Sequence, residues 1–179
     1  MKQKGKNVSP MSNEGRNAYV IEHITAALLE LLREKPMEDI SISELCEYAG
    51  IGRASFYRNF NSKEDILRAY LSRLLYEWED QLGDEEKRDL GRRLHAIFAY
   101  FEAHREFYGL LNRRGLVYLL KDTIIEFYGL SPEDPKEAAY AKAFAAYALY
   151  GWIEVWFQRG MKESAQEIEA MFRGVSLGQ

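Results

Sequence analysis

Two capping boxes with a glycine between them constrain this chain more than any other feature. In Ser41-Ile-Ser-Glu44 a hydroxyl can accept from the backbone N–H three residues on, and a carboxylate can reach back to the serine. Ser62-Lys-Glu-Asp65 repeats the device, and each box fixes a helix start. The first predicts a short helix from Ile42 to about Ala49, stopped by Gly50, which takes the left-handed backbone cheaply. Ile51 can bury itself at the corner, and another short helix starts near Arg53 and breaks at Phe60-Asn-Ser. The second box opens a long helix from Lys63 to about Leu82, with Glu64 and Asp65 suited to its N-terminus. The local plan is helix, tight turn, helix.

Around this plan the apolar residues recur at helical steps. From Ala18, Ile21, Ile24, Leu28, Leu31 and Leu32 define a first helix that ends before Pro36. Beyond Gly83 the pattern predicts helices over about 85–103, 106–112, 116–128, 136–159 and 164–172, separated by Gly, Pro, Asp and Ser. No stretch reads as a strand and no repeat is evident. The expected fold is all-α with about nine helices: a flexible tail over 1–16, a three-helix head over 17–62 and a helical body over 63–179.

Composition excludes several classes. The only cysteine, Cys46, has no partner in the chain, so neither a disulfide framework nor a cysteine zinc site is expected. The first ten residues are basic and polar and do not read as a signal peptide. Ala143 to Ile153 carries no charge but falls short of the roughly 18 apolar residues that suggest a membrane span, so a soluble protein is expected, and the lone cysteine points to a reducing cytoplasm. His95 and His104 lie nine apart, a spacing that makes no metal pair on one helix face, and His23 reads as structural. No nucleophile elbow, phosphate-binding glycine loop or metal-ligand cluster supports an enzyme, and no cofactor or metal is expected.

A formal charge of −4 argues against coating nucleic acid by bulk electrostatics, so any DNA binding must be local. Gly50 to Lys63 is such a locality: small residues, aromatics and cations with no acidic residue. On a helix over 53–60, Phe56 and Phe60 fall four apart on one inward face. Arg53, Ala54 and Ser55 can then read bases: a bidentate arginine on guanine, a methyl against thymine, a hydroxyl to either partner. Tyr57, Arg58, Asn59 and Lys63 can meet phosphates, and Ser41 can present a helix N-terminus across the groove. A plain core with a solvated basic face would give the same aromatics, but spacing, caps and charge agree on the former reading.

This stretch resembles the head of the TetR (tetracycline-repressor-like) family over about Asn17 to Leu75. The shared succession is a capped short helix, Ala-Gly-Ile at the turn, Phe-Tyr, a polar residue, Phe, and Ser-Lys-Glu-Asp. The chain departs at Gly52, where Ser often caps the recognition helix, and at Ala54, where Gly is frequent. The resemblance implies base contacts from Arg53, Ala54 and Ser55 and phosphate contacts from Ser41, Tyr57, Asn59 and Lys63, on a double-stranded DNA operator. It also implies a homodimer, repression as the commoner outcome, and a small-molecule effector.

The body is dense in aromatics, which by themselves fill a core. Under the resemblance, a mostly apolar pocket is expected to draw on His95, Phe98, Phe101, His104, Tyr108, Tyr118, Phe144, Tyr147 and Trp152. The helix 136–159 is apolar nearly all round in its middle and must be covered on every side. A two-fold four-helix interface is therefore expected, drawing on Ala145, Ala148, Trp156, Ile168, Met171 and Phe172. Trp152-Ile-Glu-Val-Trp156 and Arg159 to Ser164 resemble the C-terminal region of a subgroup typified by activators of dihydroxyacetone kinase genes.

Overall fold

The computed structural model describes the backbone of residues 13–177 and the side chains of residues 16–174. Among the described residues there is no strand. The α-helices are α1 (Asn13–Glu34), α2 (Ile42–Ala49), α3 (Arg53–Asn59), α4 (Lys63–Gln81), α5 (Asp84–Arg88), α6 (Leu90–Ala103), α7 (Arg105–Arg113), α8 (Val117–Phe127), α9 (Lys136–Gln158) and α10 (Ala165–Leu177), with a single 3-10 turn at Met37–Asp39.

Two boundaries differ from expectation. The segment 85–103 is not one helix, because Asp89 turns its carboxylate onto the Arg92 N–H at 2.8 Å and starts α6 afresh. A short aspartate side chain that can satisfy the backbone locally competes with helix continuation. At the other end, residues 1–12 of the expected tail lie outside the described residues, and 13–16 already belong to α1. Once a helix is nucleated, each added residue costs little, so a polar turn extends it.

The chain forms two compact units that divide inside α4, one reaching to Tyr70 and the other starting at Leu71. The first unit carries on to Tyr70 because the opening turns of α4 bury Ile66 and Leu67 completely. Its core is the apolar stripe of α1 (Ile24, Leu28, Leu31, Leu32) with Leu45, Cys46, Phe56 and Phe60, and α1 packs on both α2 and α3. Burying a phenylalanine contributes about 1.5–3 kcal/mol, so Phe56 alone anchors α3 substantially.

In the second unit α6 packs most extensively on α10. The missing side chain at buried Gly91 leaves room for the Arg173 guanidinium, whose carbon would lie 2.7 Å from an added Cβ. Arg173 in turn donates to Asp89 at 2.8 Å and Glu169 at 2.7 Å. The centre is aromatic, with Phe98 edge-on to Trp156 at 5.4 Å and Phe101 4.4 Å from Tyr108 between centroids. Phe98, Phe101 and Tyr108, expected to line a pocket, are fully buried here, and Trp156 and Ile168, expected at a dimer interface, are buried in the same unit. Each is large enough that the helices bury it locally before any ligand or partner arrives. No helix among the described residues is long and apolar enough to cross a membrane.

Candidate nucleic-acid interface

The turn between α2 and α3 is built by its glycine. Gly50 has φ 65°, ψ 30°, and Ile51 N–H donates back to Cys46 O at 2.9 Å, which closes α2. Ile51 is buried at the corner and Gly52 precedes α3 with extended backbone and no side chain to cap it. Two inward rings, Phe56 and Phe60, with centroids 6.2 Å apart, set the rotation of α3. Arg53, Ala54, Tyr57 and Arg58 are left exposed, and Ser55 and Asn59 half-buried.

Both capping boxes form, with different partners. Ser41 Oγ accepts from Glu44 N–H at 3.1 Å, and its own hydroxyl proton stays available at the surface. Glu44 carries an additional partner, Lys35, whose ammonium donates to it at 2.5 Å. That hydrogen bond, helped by the Ser41 N–H, holds the Glu44 carboxyl below the ordinary carboxylate range. At the second box the exchange is complete: Ser62 Oγ accepts from Asp65 N–H, and Asp65 accepts from the N–H groups of Ser62 and Asn61, each at 3.1 Å. Burial raises the Asp65 carboxyl, but the Asn61 and Ser62 donors together outweigh it, and the net shift is downward.

Two candidate phosphate contacts are already engaged. Lys63 does not extend toward solvent: its ammonium donates to the carbonyls of Met37 and Ile40, stapling the start of α4 to the turn before α2. A lysine has three donors, so one is left over for a phosphate. The Asn59 amide turns back to Ser55 O at 2.8 Å. Sequence reasoning missed both engagements, because the acceptors are backbone carbonyls rather than residue types.

In the second unit the expected pocket residues scatter. His104 caps the end of α6 with Nδ1 2.8 Å from Tyr100 O, Tyr118 and Tyr147 are exposed, and His95 faces Glu169 at 3.2 Å. Phe144 and Trp152 do line a cavity of about 110 Å³, and so do Ala145, Ala148 and Phe172, expected instead at a dimer interface. Small residues on α9 make room for the cavity as readily as for a neighbouring helix. Missed residues complete it: Trp78, Arg93 and Tyr128. Arg93 was legible as the one cation four residues before Ile97 on an apolar helix face.

One face of α9 remains uncovered by its own unit. Tyr140, Phe144, Tyr147 and Val155, with the small Gly151 between the last two, follow steps of three and four. The first three are 73%, 75% and 55% exposed, and Met171 on α10 is exposed as well. Of the expected interface residues, Met171 alone lies open at the surface in this way.

Among known proteins, the family model of bacterial regulatory proteins, tetR family, matches residues 24–70. A model of a transcriptional regulator C-terminal region matches residues 88–177. The HTH-type transcriptional regulator EthR of Mycobacterium tuberculosis is 27% identical over 110 residues, covering 57% of this chain and 49% of EthR. The uncharacterized HTH-type transcriptional regulator YvdT of Bacillus subtilis is 34% identical over 70 residues, 36% of each chain. The chain thus spans half or less of the length of these curated relatives. A solved structure of the fatty acid degradation regulator FadR from Bacillus halodurans aligns with a TM-score of 0.55 over 99% of this chain and 97% of that one, at 16% identity, a likeness of fold alone.

Proposed function

Since the chain belongs to the TetR family of DNA-binding transcriptional regulators, we propose that it acts as a homodimeric repressor, placing α3 of each copy in the major groove of a palindromic operator. The observation that carries this reading is the outward face of α3, where Arg53, Ala54, Tyr57 and Arg58 are exposed in a stretch without acidic residues. Arg53 and Ala54 stand at the start of the helix, where recognition helices meet base edges, with Ser55 half-buried beside them. Tyr57, Arg58, Ser41 and the remaining Lys63 donor serve phosphates and set register.

The dimer forms through the uncovered face of α9, with Tyr140, Phe144, Tyr147 and Val155 meeting their symmetry mates and Gly151 letting the backbones approach. A two-fold axis needs a self-complementary patch, and an aromatic stripe with one small residue is such a patch. The cavity beside α9 receives a small effector. Phe144 belongs to both the stripe and the cavity wall, so occupancy reaches the interface through one ring.

Selection of binding sites from randomised duplexes tests the reading. It should recover an inverted repeat whose half-sites lie about one helical turn, 34–36 Å, apart or a multiple of it. Recovery of no consensus, or of single half-sites only, would overturn it.

A further inference from the structure

We infer that the cavity beside α9 selects uncharged, predominantly apolar molecules that carry one hydrogen-bonding oxygen, and that it rejects carboxylates. This rests on the reading of the cavity as the effector site and names the chemistry it takes.

Most of the wall is hydrocarbon, from Leu90, Leu94, Ile97, Leu149 and the rings of Trp152 and Phe172. Among the described residues, Arg93 is the one charged lining residue. Its charge is already matched, because Nη2 donates to Glu79 at 2.6 Å in a largely buried pair. The guanidinium also lies 5.6 Å from the centre of the Trp78 ring. A carboxylate entering here would leave its hydration shell for an apolar wall and meet a neutral pair rather than a free cation. It would also be opposed by the charge of Glu79, the partner of the lining Arg93.

A neutral oxygen meets different terms. The Tyr128 hydroxyl, on a lining residue, makes no hydrogen bond among the described residues, so it can donate to a carbonyl or accept from an alcohol. Burial first of all, with Glu79 adding to it and Arg93 opposing, raises the Tyr128 phenol, which keeps its proton at neutral pH. Two further donors on lining residues, Trp78 Nε1 and Arg93 Nε, are buried without an acceptor. Donors on the lining residues therefore outnumber acceptors while their net charge is balanced. That combination suits the oxygen of a ketone, ester or ether.

Three probes of matched length separate the terms: methyl hexyl ketone, octanoate and octane, titrated into the full chain at neutral pH. Tryptophan fluorescence reports occupancy through Trp78 and Trp152, and thermal unfolding checks it. The wild type should bind the ketone roughly tenfold or more tighter than octanoate, the ratio that a difference of about 1.4 kcal/mol gives. Tyr128→Phe should reduce ketone affinity toward that of octane and leave octane unchanged. Glu79→Gln, which frees the Arg93 charge, should tighten octanoate past the ketone. Octanoate binding the wild type as tightly as the ketone, or ketone affinity untouched in Tyr128→Phe, would overturn the assigned chemistry and leave the effector cavity standing. Silence from all three probes would bring down both. Tyr128→Phe removes a single hydroxyl oxygen, so ketone affinity can be read in that variant even if Glu79→Gln fails to fold.

Discussion

Arg53 and Lys63 are both cations at helix starts in the same acid-free stretch, yet they differ in what their charges already touch. Arg53 is exposed at the beginning of α3, whereas Lys63 spends two donors on Met37 and Ile40. Replacing Arg53 by Ala should therefore cost about 1–3 kcal/mol of operator affinity, relax preference at one base and leave the melting temperature alone. Fluorescence anisotropy on matched and mismatched duplexes would read it. Lys63→Met should behave the other way round. It leaves two carbonyls without their donor, so urea denaturation should show a loss of about 1–2 kcal/mol. The salt slope of operator binding should change by less than the near-unit step that loss of a whole phosphate contact brings. An unchanged urea midpoint in that variant would dispose of the staple.

At the scale of elements, the turn between α2 and α3 gives two glycines opposite expectations. A Cβ at either Gly50 or Gly52 would meet nothing within 4 Å, so only backbone geometry decides. Gly50 sits at φ 65°, and Gly50→Ala should destabilise by about 1 kcal/mol. Gly52 is an uncapped N-cap in extended conformation, and Gly52→Ser should stabilise by a few tenths of a kcal/mol. Thermal melts of the pair would show the opposite signs, and a stabilising Gly50→Ala would contradict the turn geometry. These elements were legible in the sequence because each boundary is set by a local device: Ser41 and Ser62 at starts, Gly50 at a stop. Legibility fails where a contact is long-range or a residue type is ambiguous. Asp89 reads as an ordinary helix residue until its carboxylate is seen on Arg92 N–H, and α9 is so uniformly apolar that sequence cannot say which side its own unit covers. Hence Trp156 and Ile168 were expected at an interface and lie in the core, while Tyr140 and Val155 were passed over and lie open. Trp152 to Ser164 has a packing explanation too, since Trp156 Nε1 donates to Glu163 O at 2.9 Å and so holds the turn into α10.

For the whole molecule, the response to acid and the proposed dimer set separate expectations. The carboxyls of Glu44, Asp65, Asp89, Asp134, Glu163 and Glu167 are all held below their ordinary values by hydrogen bonds that favour the charged form, over the opposing effect of burial. A depressed carboxyl contributes stability that is present above the unfolded value, near pH 4, and lost as pH falls through the folded one. The melting temperature should thus hold from neutral pH to about 5 and fall below about 4. Asp89→Asn should flatten part of that fall, and a melting temperature that rises on acidification would contradict the assigned hydrogen bonds. The stripe on α9 sets the larger expectation: Phe144→Asp should leave far-UV circular dichroism unchanged, shift the chain to monomer in sedimentation, and abolish operator binding. A fluorescence-anisotropy titration of the selected palindrome, run across a salt series with wild type, Arg53→Ala and Phe144→Asp, tests the proposed dimeric operator binding. Saturation at two chains per site, salt-sensitive and lost in both variants, is the predicted result. Equal weak binding of all three proteins to the palindrome and to a scrambled duplex would contradict it.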